Sequence, residues 1–213
     1  VSARETDELF EFAPFIVRGG TLGPVEAPHP VSTVDGGQIQ RANRQVALDE
    51  ALEGIPGVFV LNPYNFAQDT RIAIRGFGAR ADFGIRGIRL LVDGIPATSP
   101  DGQGEVDGID LGSVGRIRVL RGPASVFYGA ASGGVILMET ESTAGQPFLG
   151  WRMSAGEDGF RHLQAKARGS AGGVSGLVSL SEFRTDGYRE HSETKNRRLN
   201  GKVDYWVDAR QRL

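Results

Sequence analysis

The 213-residue sequence is 39% hydrophobic and 23% charged with a net charge of −2, a balance that lends no support to nucleic-acid binding, which requires a basic face. Cysteine is absent, which excludes disulfides and thiol catalysis. Glycine, at 31 residues, is about twice its usual share of ~7% and points to turns and close backbone approach. The longest clean apolar runs are a few residues, such as Val135 to Met138, so no transmembrane helix is expected, whereas a membrane β-barrel stays open because its strands alternate. Val1 begins no basic start with an apolar core, so any export signal is expected to be removed or to lie upstream.

Taken in order, Val1 to Glu11 is polar and acidic and reads as a leader. Phe12 to Val17 (FAPFIV) is a short run with strand preference, confined by Pro14 to a sheet edge. Pro24, Pro28 and Pro30 make an extended connector, and Val31 and Val34 mark a brief strand. Asn43 is a suitable N-cap for a helix over Arg44 to Glu53, with Leu48, Ala51, Leu52 and Ile55 on one face and Gly54 and Pro56 as the stop. Strands follow at Val58 and Val60, Ile72 and Ile74, and Ile88 to Val92, where Asp93-Gly94 is a hairpin-type turn. A further strand, Arg116 to Leu120, stops at Arg121-Gly122-Pro123, and one helical turn is expected over Pro123 to Phe127. Gly129, Gly133 and Gly134 come next, and a strand reopens at Val135. Strands interleaved with short helices predict an α+β domain with a small mixed β-sheet.

Three connections, 61–70, 79–85 and 97–108, are long, polar and glycine-rich, the kind of loop that carries binding on a compact scaffold. Their candidates are Asn62, Tyr64, Asn65, Phe66 and Gln68 in the first, Arg80 and Asp82 in the second, and Thr98, Ser99, Asp101 and Gln103 in the third.

After Glu141 the pattern changes. Trp151, Met153 and Ala155 alternate with Arg152 and Ser154, and Leu163, Ala165 and Ala167 alternate with His162, Gln164, Lys166 and Arg168. Gly172-Gly173 is a two-residue turn signal, and Val174, Val178 and Leu180 open a third strand whose phase blurs at Glu182-Phe183. Leu199, Val203, Tyr205 and Val207 form the apolar phase of a fourth. A one-sided soluble sheet alternates in the same way. The barrel is favoured by apolar faces lean in bulky residues, by aromatics (Trp151, Phe160, Phe183, Tyr188, Tyr205, Trp206) near strand ends, and by a tight turn opposed to the longer loop Asp186 to Asn196.

Catalytic patterns find no footing. Gly76-Phe77-Gly78-Ala79-Arg80-Ala81 fits a dinucleotide fingerprint, but Gly84 and Gly87 break the segment that would have to be its helix. His29, His162 and His191 lie far apart with no metal-ligand spacing, and no pair of acids stands in a catalytic context. The chain reads as a non-enzyme with no cofactor and no metal site.

Three motifs in this order, IRGFG (Ile74 to Gly78), LLVDGIP (Leu90 to Pro96) and LRGPASVFYGAASGGVI (Leu120 to Ile136), resemble the plug domain of TonB-dependent outer-membrane receptors, over about Ala42 to Glu141. The resemblance implies an α+β plug domain over 31–142, after a leader over 1–30, and then the first four antiparallel strands of an incomplete, truncated outer-membrane β-barrel over 143–213. Phe12, Ala13, Pro14, Phe15, Ile16 and Val17 stand where such receptors carry the TonB box, which adds as a strand to TonB, the partner energised by an inner-membrane complex. Ala13-Pro14-Phe15 departs from the usual threonine- and valine-rich box. Arg75 and Arg121 match arginines that pair with glutamates of the inner barrel wall, whose counterparts would lie beyond Leu213; Arg118 stands where the family has glutamate. A bacterial outer-membrane location in contact with lipid, and TonB-dependent uptake of a scarce small molecule, follow as expectations. A ferric siderophore, an iron chelate, is the first cargo, and an iron-free organic cofactor or nutrient the alternative. The stretch Phe83 to Gly104 resembles receptors for redox cofactors such as pyrroloquinoline quinone. A β-rich surface binding module is the reading from a different class.

Overall fold

The computed structural model describes residues 30–212 except 42, 62–65, 67–69, 83, 209 and 210. The box expected at Phe12 to Val17 therefore lies outside the described residues.

An N-terminal α+β domain comes first. Its strands are β1 (Val31–Asp35), β2 (Val58–Leu61), β3 (Arg71–Ile74), β4 (Ile85–Arg86), β5 (Ile88–Val92), β6 (Ile95–Pro96), β7 (Gln103–Gly104), β8 (Val114–Arg121) and β9 (Gly134–Thr140). Three short helices, α1 (Gly36–Gln40), α2 (Asp49–Leu52) and α3 (Ser125–Tyr128), lie between them. The main sheet runs β1-β8-β9-β5-β6; β5 and β9 are parallel and the other neighbours antiparallel, so the sheet is mixed as expected. Ile88 and Leu90 of β5, Ile117 and Val119 of β8, and Ile136 and Met138 of β9 form the core with Leu48, Leu52 and Ile55. Asp93 and Gly94 both take positive φ, 49° and 83°, and close the β5–β6 hairpin as the primed turn that strand twist favours. Gly134 has φ +147°, and a Cβ there would collide with the Leu120 carbonyl oxygen, so the strand can reopen after the glycine-rich crossing only without a side chain.

The helix expected over Arg44 to Glu53 is reduced to Asp49–Leu52. The Glu50 carboxylate accepts hydrogen bonds from the backbone N–H of Gln45 (2.8 Å), Val46 (3.2 Å) and Ala47 (3.3 Å), and Gln45 sits at φ 61°. A side chain thus takes the donors that a longer helix would have turned inward. The apolar face survives, because Leu48, Ala51, Leu52 and Ile55 are all buried.

The second part is an antiparallel meander of β10 (Phe148–Ala155), β11 (Arg161–Ala171), β12 (Val174–Thr185), β13 (Thr194–Asp208) and β14 (Gln211–Arg212), each paired with its chain neighbour. The four strands expected are present, and β14 begins a fifth. Gly172 and Gly173, at φ 57° and 84°, make the tight turn between β11 and β12. Leu149 and Trp151 are 82% and 80% exposed, and Leu199 and Val203 stand on the same outward face. The opposite phase is polar, and the α+β domain covers it. Among the described residues no helix is long and apolar enough to cross a membrane.

Candidate functional site

The covered face of the meander gathers what the alternating pattern left unassigned. His162, Gln164, Ser175, Ser179, Ser181 and Asp204 are buried there although all are polar. Gln164 Nε2 donates to Ser179 Oγ at 3.2 Å, and Thr143 meets Ser175 and Asp204, whereas His162 Nδ1 has no hydrogen-bond partner among the described residues; the links to the α+β domain come from longer side chains of the same face.

The contacts descend along the strands. Nearest the loop end, Arg198 donates from Nε to the Asp107 carbonyl at 2.9 Å and from Nη1 to the Val46 carbonyl at 3.4 Å. Arg152 Nη1 donates to the Gln40 carbonyl at 2.8 Å, and Asn200 Nδ2 to Ser113 Oγ at 2.7 Å. Lys166 Nζ lies 2.5 Å from Glu141 Oε1 and 2.9 Å from the Gly112 carbonyl, and Gln40 Nε2 donates to the same Glu141 oxygen at 2.6 Å. Lys202 Nζ reaches Asp93 Oδ1 at 3.3 Å and Thr140 Oγ1 at 3.1 Å, while Thr143 bonds Ser175 and Asp204. Gly112 belongs to this surface: the Gln164 side chain fills the space in which a Cβ at that position would stand.

An interface made this way is specific in register yet weakly cohesive. Charged hydrogen bonds contribute about 1.5–3 kcal/mol each, but water can replace them when the surfaces part, and a buried ion pair recovers little beyond its desolvation cost. An apolar interface of equal area would have no such substitute.

At the loop end Phe183 turns inward, 3% exposed, and packs against Phe66 at 5.1 Å between ring centroids and Phe160 at 5.6 Å. This accounts for the blurred phase at Glu182-Phe183; Phe160 and Phe183 stand near strand ends as expected, with Phe183 turned inward and Phe160 packed against it. Trp151, Tyr188, Tyr205 and Trp206 remain exposed. A cavity of about 150 Å³ lies between the first polar loop and the strands, lined by Phe66, Thr70, Asp107, Phe183, Asn196 and Arg198 among others. A more open one of about 570 Å³ is lined by Thr98, Ser99, Glu105, Asp110 and Asn200 among others.

The loop candidates divide between these places. Phe66 reaches the smaller cavity and Thr98 and Ser99 the larger. Thr98 Oγ1 also accepts from the Leu90 N–H at 3.2 Å. Asp101 and Gln103 instead serve the third loop itself: Arg86 Nη2 donates to Asp101 Oδ2 at 3.5 Å and to Gln103 Oε1 at 3.3 Å, and Asp101 Oδ1 accepts from the Gln103 N–H. Arg80 and Asp82 are exposed and line neither cavity. Asn62, Tyr64, Asn65 and Gln68 lie outside the described residues.

Arg75 and Arg121 converge on one turn. Arg75, exposed at φ 50°, donates its backbone N–H to the Gly57 carbonyl at 2.9 Å. Arg121 donates to the Pro56 carbonyl at 2.8 Å and to Ser32 Oγ at 3.0 Å. Arg118 is answered within its own sheet by Glu139, which also faces Arg116 at 3.9 Å. The residues that sequence reasoning passed over are Arg152, Lys166, Arg198, Asn200 and Lys202; their signal was the polar phase itself.

Comparison with known proteins agrees with this arrangement. The family model "TonB-dependent Receptor Plug Domain" matches residues 24–135. The hemin receptor of Yersinia pestis is 31% identical over 172 residues, which cover 76% of this chain and 24% of that protein. The vitamin B12 transporter BtuB of Photobacterium profundum is 27% identical over 167 residues, 77% of this chain and 26% of that protein. The crystal structure of the siderophore receptor PiuA from Acinetobacter baumannii superposes with a TM-score of 0.67 at 21% identity, over 87% of this chain and 25% of that one. The chain thus spans about a quarter of the length of the relatives it matches.

Proposed function

The chain belongs to the TonB-dependent receptor family, and we propose from that premise that it supplies the plug and first wall strands of a bacterial outer-membrane transporter for a scarce small molecule. A ferric siderophore is the cargo placed first. The protein carries out no covalent chemistry. Cargo binds at the loop end, against the plug loops that hold Phe66, Thr98 and Ser99, with Asn62, Tyr64, Asn65, Gln68, Arg80, Asp82, Asp101 and Gln103 as the further loop candidates. TonB, driven from the inner membrane, pairs with Phe12 to Val17 and pulls on the plug. Arg75 and Arg121 hold the plug to wall strands beyond Leu213.

The observation that carries this reading is the polar seam between plug and wall. Lys166, Arg198, Asn200 and Lys202 fix the plug through hydrogen bonds that water can take over, as a domain that must move aside and return requires. Ligand and pulling partner then bias one equilibrium between docked and displaced plug. The test is deletion of Phe12 to Val17 in the full-length receptor. Cargo binding to whole cells is retained and uptake is lost; undiminished uptake would refute the assignment of that segment.

A further inference from the structure

The linker between plug and wall is exposed except at one residue. Between Glu141 and β10 the chain runs through 142–147, and within it Thr143 alone is buried, at 1% exposure. Its hydroxyl lies 2.8 Å from Ser175 Oγ and donates to Asp204 Oδ2. Ser175 and Asp204 stand directly opposite each other on β12 and β13, near the tight Gly172-Gly173 turn, and both are buried. A carboxylate withdrawn from water needs donors, and here one comes from the linker. Arg168 of β11 adds a second hold: its Nε donates to the Gln146 carbonyl and its Nη1 to the Ser142 carbonyl, each at 3.3 Å. The wall therefore grips the linker at Thr143 and on either side of it.

A free linker of about six residues can extend roughly 20 Å, enough for a displaced plug to come back out of register. Pinned at Thr143, it keeps about two slack residues, and a tether shortened about threefold raises the local concentration of the plug at its own seat about fivefold. The hold also lies at the opposite end of the plug from Phe12 to Val17. Tension applied there reaches Gln40 and Val46, whose carbonyls Arg152 and Arg198 hold, before it reaches Thr143.

We propose that Thr143, Ser175, Asp204 and Arg168 form a clamp that keeps the linker on the wall while the plug is displaced, a fixed pivot from which the plug returns to one register. The proposal rests on the transport reading above. The test uses the full-length receptor, free of other cysteines, in its own outer membrane, carrying either Ser113→Cys or Thr143→Cys. A small maleimide that reaches the periplasm labels cells held in the supernatant of an iron-starved culture, either respiring or treated with a protonophore. Ser113→Cys is labelled at least about fivefold faster in respiring cells, and Thr143→Cys equally slowly in both. Adding Asp204→Ala and Arg168→Gln speeds labelling of Thr143→Cys at least about tenfold even under protonophore. Thr143→Cys combined with Ser175→Cys closes a disulfide on oxidation. Labelling of Thr143→Cys that rises with respiration as that of Ser113→Cys does, no acceleration in the loosened variant, or failure of the disulfide to form would overturn the clamp. The respiring-cell comparison and the disulfide decide even if the loosened variant does not fold. Labelling of Ser113→Cys that ignores respiration would instead overturn the transport reading, and the disulfide, which needs no energised partner, tests the clamp separately.

Discussion

Lys166 of the wall places its ammonium 2.5 Å from a Glu141 oxygen of the plug, and the same ammonium meets the Gly112 carbonyl at 2.9 Å. Both side chains are mostly buried, 12% and 23% exposed. Lys166→Ala leaves Glu141 with Gln40 alone as a donor in a largely buried site, at a cost of about 1–3 kcal/mol. A double-mutant cycle with Glu141→Gln returns a coupling energy of the same order, measured from denaturant midpoints. Additive single effects would show that the pair contributes nothing.

Phe183 joins the wall to the first polar loop through Phe66 and to the β10–β11 connection through Phe160. Phe183→Ala removes both ring contacts and enlarges the cavity beside them, lowering stability by about 3–5 kcal/mol. Phe183→Leu recovers about half of that and leaves the loop less well held. Thermal unfolding of the two variants reads the difference.

Gly134→Ala tests the turn that closes the plug motif. An alanine there must hold φ near +147° against the Leu120 carbonyl oxygen, at a cost of at least ~2 kcal/mol. Gly54→Ala, where a Cβ would meet open space, is within about 0.5 kcal/mol of the parent. Equal effects of the two would remove the steric argument.

Asp49 supplies a pH dependence of known sign. Burial, and then the neighbouring Glu50 charge, raise its pKa above the ordinary carboxylate value, and its Oδ1 has no hydrogen-bond partner among the described residues. A raised native pKa means that the folded state favours the proton. The cost is therefore absent at pH below the unfolded value and grows as pH rises through the window between the unfolded and native values. Asp49→Asn is accordingly more stable than the parent at neutral pH and indistinguishable from it in acid. A parent and variant that differ equally at both pH values would contradict this.

Much of the fold was legible because local rules set it. Period-two alternation marked the wall strands β10 to β13, and Asp93-Gly94 and Gly172-Gly173 announced turns that both adopt positive φ. The shortening of the expected helix to Asp49–Leu52 was not legible, because the Glu50 carboxylate occupies N–H groups three to five residues upstream of it, a choice that helical spacing does not reveal. Nor was the seam. Arg198 meets Val46 across 152 positions, and Lys166 meets Gly112 across 54, so each residue shows in sequence only as one more polar member of an alternating strand. Phe183 broke the pattern for the same reason: it answers a plug loop rather than the rhythm of its own strand.

On the proposed function, uptake requires the plug to part from the wall along this seam. Ser113 Oγ and Asn200 Nδ2 face each other at 2.7 Å, and the chain has no cysteine of its own. Ser113→Cys and Asn200→Cys in the full-length receptor can be joined by a short thiol crosslinker that is cleaved by reductant. With the crosslink complete, uptake of cargo by whole cells falls to background while surface binding persists, and reduction restores uptake. Full uptake with the crosslink in place would show that cargo passes without separation of plug and wall at this point.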